Sequence, residues 1–333
     1  MKNNVRIFIS TDPFGEVDST PLELLEKSGF EYTINPLKRK LTPEEVGEFA
    51  RDCDGLIAGT ENIDTVLKQA DHLKIISRVG IGLDSVPLDR CRERGIKVSY
   101  TPDAVTMAVV ELTIGLMISL TRHVVKADAH TRQGIWNRLQ GKRIGESVIG
   151  LIGFGRIGSN IARVLKEFHP RKILINDIKD KSAQIQKIQS TTGIEIVQVD
   201  KEEIYRNADI VSLHLPLTSK TVDIINADSL KLINNEAFLI NTSRGGLVNE
   251  TDLYEILKKG ELAGAAIDAF EQEPYTGPLI ELENIILTQH MGSCSFDCRS
   301  QMEIQATEDL IRFFNGEPLS NEVPEEEYDY QRA

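Results

Sequence analysis

Val148-Ile149-Gly150-Leu151-Ile152-Gly153-Phe154-Gly155-Arg156-Ile157-Gly158 is an apolar, β-branched run that passes directly into G-x-G-x-x-G. The spacing predicts a strand, a tight turn and a helix over Ser159 to Phe168. In such an arrangement Gly153 makes the turn, Gly155 lets the backbone approach a diphosphate, and Gly158 lets helix and strand pack closely. The N–H groups at the helix start then face the phosphates. A lone glycine pattern is weak evidence. Here a second apolar run, Lys172 to Asn176, ends in Asp177, 24 residues beyond Gly153, where an acid bonds ribose hydroxyls. That carboxylate also selects NAD over NADP. A 2′-phosphate at ~4 Å would repel it by about 4 kcal/mol per charge pair at an effective dielectric of ~20. Arg171 and Lys172 stand at the start of this run, the end away from Asp177.

On both sides of this stretch apolar runs alternate with helical patterns. Strand candidates follow at Asp209–Leu213, Ala237–Asn241, Ala263–Ile267 and Ile285–Thr288, and precede it at Val5–Ser10, Gly55–Ala58, Lys74–Arg78 and Ile96–Ser99. Helices are expected near Pro21–Ser28, Thr42–Cys53, Asp64–Ala70 and Pro87–Arg94. Thr42-Pro43-Glu44-Glu45 supplies a hydroxyl cap, a first-turn proline and acids at the positive helix end. In Asn249–Lys259 the asparagine caps, Leu253, Ile256 and Leu257 form one face, and Gly260 suits the left-handed exit. This alternation means α/β architecture with parallel sheets covered on both faces. Thr101-Pro102-Asp103 interrupts it. The helix after it, roughly Ala104 to Val125, is apolar nearly all round and is expected between layers or at a subunit interface. A last helix, about Asp297 to Asn315, precedes the acidic run Pro324–Asp329, which reads as a solvated end.

The 333 residues leave room for two domains. Lys+Arg 38 against Asp+Glu 51 gives −13, the wrong sign for a general nucleic-acid or anionic-membrane binder. Cys294 and Cys298 stand at C-x3-C, but no second pair stands at zinc-ligand spacing, so no metal is expected. The N-terminal run is too short for a signal peptide and the stretch Met107–Leu120 too short for a membrane span, which points to the cytoplasm.

Three late strands each deliver a reactive residue just past their carboxyl ends, where doubly wound sheets bind ligands. These are Arg244, Asp268 with Glu271 and Glu273 beyond it, and His290. An arginine binds a carboxylate bidentately, and a histidine oriented by a glutamate exchanges a hydroxyl proton. Together they suit hydride transfer at a C–OH/C=O beside a carboxylate. Taken singly, each has a plainer reading as a surface ion pair, a structural histidine or a solvated acid. Their joint arrival beside a dinucleotide site favours chemistry. His72, His123, His130 and His169 read as structural, and His214 as lining the cofactor crevice without proton chemistry.

At these residues the sequence resembles the D-isomer-specific 2-hydroxyacid dehydrogenases, from about Gly55 to Asn315, and is most similar to the phosphoglycerate dehydrogenase-like members. The motifs that carry the resemblance are Gly150–Gly158, Asn241–Asn249, Asp268-Ala-Phe-Glu-Gln-Glu-Pro274 and His290-Met-Gly-Ser293. It implies a Rossmann NAD-binding domain over 103–293 and a flavodoxin-like substrate-binding domain, discontinuous, over 1–102 and 294–333. By the resemblance Arg244 binds the substrate's carboxylate and carbonyl oxygen, and His290 is the acid/base. Glu273, before Pro274, is its partner, which leaves Glu271 outside the catalysis. Implied NAD contacts are Gly153, Gly155, Arg156, Ile157, Gly158, Asp177, Leu215, Pro216, Thr242, Ser243 and Asp268, the last near the nicotinamide carboxamide. Arg78, Val79 and Gly80 join Arg244 in substrate binding, the N–H groups of Val79 and Gly80 holding the carboxylate.

The implied reaction is NAD-dependent interconversion of a 2-keto acid and a D-2-hydroxy acid by a homodimer paired through the long helix. Arg78 and Arg138 match cations that phosphoglycerate-type members use for a substrate phosphate, whereas Gly59-Thr60 stands where some carry Arg-Ser. A phosphorylated or otherwise doubly anionic substrate stays open on that ground, and the C-terminal regulatory domain of many serine-pathway members is not expected. The alternative is a non-catalytic NAD(H)-sensing protein of the same fold, like the C-terminal-binding corepressors, although neither a disordered arm nor a peptide-binding insertion is visible. Formate dehydrogenases lack the histidine's glutamate partner, which stands here as Glu273.

Overall fold

The computed structural model describes residues 5–332, so Met1–Asn4, before the expected opening strand, lie outside the described residues. The chain divides into two units, one made of Met1–Val105 with Ser293–Ala333, the other of Thr106–Gly292.

The first unit carries β1 Arg6–Ile9, β2 Glu31–Ile34, β3 Gly55–Ala58, β4 Ile75–Arg78 and β5 Lys97–Ser99 in the order β2-β1-β3-β4-β5, a flavodoxin-like parallel sheet. Helix Pro43–Ala50 opens on the Thr42/Glu45 capping box.

The second unit holds seven parallel strands: β6 Val148–Ile152, β7 Lys172–Asn176, β8 Ile196–Gln198, β9 Ile210–Leu213, β10 Phe238–Asn241, β11 Gly264–Ile267 and β12 Ile285–Leu287. Their order is β12-β11-β10-β9-β6-β7-β8, which reverses between β6 and β9, the switch point of a Rossmann sheet. Successive residues of each strand enter opposite cores. Leu239, Val211 and Ala265 face one layer, while Ile240, Ile210 and Ala266 face the other. This double burial explains the continuous apolar runs in the sequence. Helix Glu250–Lys259 starts on the Asn249 side chain, which accepts from Asp252 N, and ends at Gly260 with φ 70°.

Four expectations need correction. The sequence reading has no strand at β2 or β8, both short edge strands with one neighbour each and little burial to mark them. The long apolar helix is two helices, Thr106–Thr121 and Val124–Arg132, broken at His123, whose φ of 53° is left-handed. The helix after the glycine turn starts earlier, at Arg156, and becomes 3-10 over Leu165–Phe168. The acidic end is solvated as expected, with Glu325, Glu326 and Asp329 exposed, but it is the helix Glu325–Arg332 and not an irregular tail. Arg92 bonds Glu325 through both its terminal nitrogens (2.9 and 2.6 Å) and lies 3.7 Å over the Tyr328 ring. Gln331 donates to Leu83 O and Val86 O, each at 2.7 Å, and accepts from Leu88 N.

Among the described residues no single helix is long and apolar enough to cross a membrane.

Candidate active site

Parallel pairing sets the carboxyl ends of β10, β11 and β12 side by side, with Asn241 opposite Ile267 and Ile267 opposite Leu287. The residues that follow these strands therefore share one edge. Beyond β11, buried Asp268 organises the segment beyond β12. Its Oδ1 accepts from Thr288 Oγ1 (2.6 Å) and Met291 N (2.9 Å), its Oδ2 accepts from Gly292 N (3.0 Å), and its backbone carbonyl accepts from His290 N (2.7 Å). These bonds hold His290 at φ 51°. The ring Nδ1 lies 2.8 Å from Glu273 Oε1, which also accepts from Phe270 N (3.2 Å). With the carboxylate on Nδ1, the nitrogen left to exchange a proton with a ligand is Nε2.

Arg244 follows β10. Asn241 Nδ2 donates to its carbonyl (2.7 Å), and Gly245 comes next. A Cβ on Gly245 would sit 2.0 Å from the Phe270 carbonyl carbon, so only glycine lets the arginine segment cross the backbone leading to Glu273. Two supports have no signal in the sequence reading. Thr242 Oγ1 bonds Thr113 Oγ1 (2.9 Å), and Glu250 Oε1 accepts from Glu271 N (2.8 Å). Burial raises the Glu250 carboxyl above the usual range, and the charges of Glu271 and Glu273 push the same way. Glu271 itself is exposed.

The glycine turn fits a dinucleotide. A Cβ on Gly153 (φ 97°) would lie 2.2 Å from His214 O, and one on Gly158 would lie 2.2 Å from Gly153 O. A Cβ on Gly155 would meet nothing within 4 Å, so its glycine answers no neighbour in the chain and leaves that face open to a diphosphate. Gly155 is also the N-cap of helix Arg156–Val164, and no side chain caps it, which leaves the helix start available to phosphate oxygens. Asp177, past β7, accepts from Phe154 N and Lys179 N (both 2.9 Å), with Lys181 Nζ 3.4 Å from its Oδ2. Leu215 and Pro216 follow β9 beside this turn, and Ser243 Oγ donates to Leu213 O (2.6 Å).

In the other unit, Arg78 is buried at the end of β4, with a guanidinium N–H on the Val79 carbonyl. The expectation that the Val79 and Gly80 N–H groups hold a carboxylate is corrected. Val79 N donates to Ala58 O (2.9 Å), extending the sheet, and Gly80 N donates to Thr101 Oγ1 (2.8 Å). The next two donors, on Ile81 and Gly82, have no acceptor among the described residues.

The family model described as the D-isomer specific 2-hydroxyacid dehydrogenase NAD binding domain matches residues 114–292. The chain belongs to this family. Its cofactor is NAD, and its chemistry is NAD-dependent interconversion of 2-keto and 2-hydroxy acids. It is 35% identical over 301 residues to a glyoxylate reductase of Korarchaeum cryptofilum, covering 87% of each chain. It is 34% identical over 324 residues to a D-3-phosphoglycerate dehydrogenase of Methanocaldococcus jannaschii, covering 96% of this chain and 59% of that relative's length. The solved TT0316 protein from Thermus thermophilus is similar with a TM-score of 0.84 at 31% identity, over 96% of this chain and 100% of that one.

The open face at Gly155 and the crowded one at Gly158 give opposite expectations for alanine. Gly155→Ala should keep the wild-type melting temperature while weakening NADH binding about tenfold or more, the loss of one charge-assisted contact or its equivalent, whereas Gly158→Ala should lower the melting temperature itself. Calorimetry with an NADH titration checks both, and equal melting losses would contradict the open face at Gly155. Burial pushes the His214 ring from its ordinary 6.5 down to about 3, so the unfolded chain binds a proton there that the folded chain refuses. Between those values stability rises with pH. On acidification from about pH 6.5 to about 4, His214→Gln should lose stability less steeply than wild type, by close to one proton. Parallel denaturation curves would rule this out.

Proposed function

We propose that this protein is an NAD-dependent reductase of a small, singly charged 2-keto acid, yielding the D-2-hydroxy acid. The observation that carries the reading is the 2.8 Å pair of His290 Nδ1 and Glu273 Oε1, set on the strand edge that also presents Arg244. NAD, when bound, supplies or accepts the hydride at the substrate's C2. The Arg244 guanidinium holds the substrate's carboxylate and polarises the C2 oxygen. His290 delivers a proton to that oxygen from Nε2 and takes it back in the reverse direction. Glu273 keeps the ring in one orientation through Nδ1.

Two features favour a small substrate over a phosphorylated one. Glu61, just beyond Gly59-Thr60, is a buried carboxylate that accepts from Ser10 Oγ and from Gly59 N (2.8 Å). It puts negative charge on the loop where a phosphate clamp needs a cation. Arg78 is buried and folded onto its own backbone. The similarity to a glyoxylate reductase supports the same class. A homodimer is supported by apolar surface around and beyond the helix break, where Val124 and Val125 are half exposed and Trp136 is 83% exposed.

His290→Ala and Arg244→Ala should bind NADH as wild type does and lose roughly 10²–10⁴ in kcat, the range for a positioned proton donor or charge stabiliser. Glu273→Gln should fall between these variants and wild type. A screen of glyoxylate, hydroxypyruvate and phosphohydroxypyruvate with NADH tests the substrate class. Preference for the phosphorylated acid would overturn it, and full turnover in either alanine variant would remove the catalytic assignment.

A further inference from the structure

The last helix, Glu325–Arg332, runs back along the short helix Leu88–Glu93 of the same unit. Near the end of that short helix, Arg92 holds Glu325 through both terminal nitrogens and lies over the Tyr328 ring. Just before the last helix, Val323 is buried and its N donates to Val98 O (3.0 Å). These contacts bring Gln331 to the start of the short helix, 243 residues from Leu88 in sequence.

Three backbone groups meet in that one side chain. Gln331 Nε2 donates to Leu83 O and Val86 O (both 2.7 Å), and its Oε1 accepts from Leu88 N (3.1 Å). Helix Leu88–Glu93 opens on Pro87, which has no side-chain oxygen to cap it, so Gln331 serves as a cap supplied from elsewhere in the chain. Val86 N closes on Leu83 O (3.0 Å) and Ser85 O accepts from Ile63 N (3.1 Å), which leaves Val86 O and Leu88 N to Gln331 among the described residues. Two N–H groups and an acceptor are what a carboxamide offers. Neither a carboxylate nor an ammonium supplies both kinds.

Gln331 thus grips the far end of the turn that follows β4. Thr101 holds the near end: Gly80 N donates to Thr101 Oγ1 (2.8 Å), and Thr101 N donates to Gly80 O (3.0 Å). Between these anchors Ile81 and Gly82 are half-buried and make no backbone hydrogen bond of their own among the described residues. A segment without such bonds takes its position from its anchors. In open α/β sheets the loops beyond the carboxyl ends of the strands meet the ligand, and this turn is one of them.

We propose that Gln331 is a positioning residue for substrate binding, which holds the turn after β4 in the geometry that receives the 2-keto acid. The inference rests on the dehydrogenase reading of that turn. Gln331 acts through the backbone it grips, so its loss falls on the affinity for the keto acid and spares that for NADH.

Gln331→Glu keeps the shape of the side chain and the acceptor for Leu88 N, but sets a carboxylate oxygen against two carbonyls. Gln331→Met removes all three bonds without adding charge and serves if the first variant does not fold. Steady-state kinetics with glyoxylate and hydroxypyruvate, an NADH titration and amide hydrogen exchange read the outcome. In Gln331→Glu the KM for the acid that wild type reduces should rise about tenfold, the order of one hydrogen bond misplaced, and in Gln331→Met by a smaller factor. In both, kcat should stay within about twofold and NADH affinity should be unchanged, the pattern of lost ground-state binding. Amides of residues 80–88 should exchange faster than in wild type. A lower melting temperature with the wild-type KM would overturn the assignment, as would equal losses of keto-acid and NADH affinity. If wild type reduces no 2-keto acid with NADH, the dehydrogenase reading falls and takes this proposal with it. If wild type turns over and both variants keep its KM, only the role of Gln331 falls.

Discussion

The hydrogen bonds of Asp268 are the constraint on which the chemistry of this chain depends. A carboxylate that is 1% exposed is costly unless its oxygens are paired, and the three donors that pair them all lie on the Thr288–Gly292 segment beyond β12. Satisfying the acid therefore fixes the one segment that carries His290, in a left-handed conformation that is uncommon for residues other than glycine. Glu273 then settles the rotation of the ring through Nδ1. The cofactor role that the resemblance implies for Asp268 comes on top of this scaffolding role within the chain.

Close backbone crossings complete the arrangement. Side chains on Gly153 or Gly158 would collide with carbonyls of the turn and of His214, and one on Gly245 would collide with the backbone at Phe270. These are collisions with peptide groups, which cannot swing aside as a side chain can. The glycines thus serve two ends of one cleft edge, the diphosphate turn and the crossing that brings Arg244 beside the Glu273 loop. Gly155 differs from both because the chain leaves its open side empty.

Legibility in the sequence followed the strength of each local signal. The glycine turn, the Asn249 cap and the seven-strand unit's central strands were readable because cap, periodicity and glycine conformation each leave a mark at fixed spacing. Glu273 and His290 were readable as a pair only through the family motif, since 17 residues separate them along the chain and the fold alone brings them to 2.8 Å. Edge strands β2 and β8 carry too little burial to read, and His123 breaks a helix without proline or glycine. The helix Glu325–Arg332 is acidic enough to pass for an irregular tail, and what orders it is Arg92 and the Leu83–Leu88 backbone, more than 230 residues away in sequence. The engagement of the Val79 and Gly80 N–H groups is likewise a matter of sheet register and of Thr101, neither of which marks the loop itself.

A crystal structure with NAD and a 2-hydroxy acid bound tests the account most directly. It should show His290 Nε2 at about 2.6–3.2 Å from the C2 oxygen, with Nδ1 still on Glu273 and the Arg244 guanidinium on the same oxygen or the carboxylate. A bound acid whose C2 oxygen meets neither group, or an imidazole that leaves Glu273 when the ligands arrive, would contradict it.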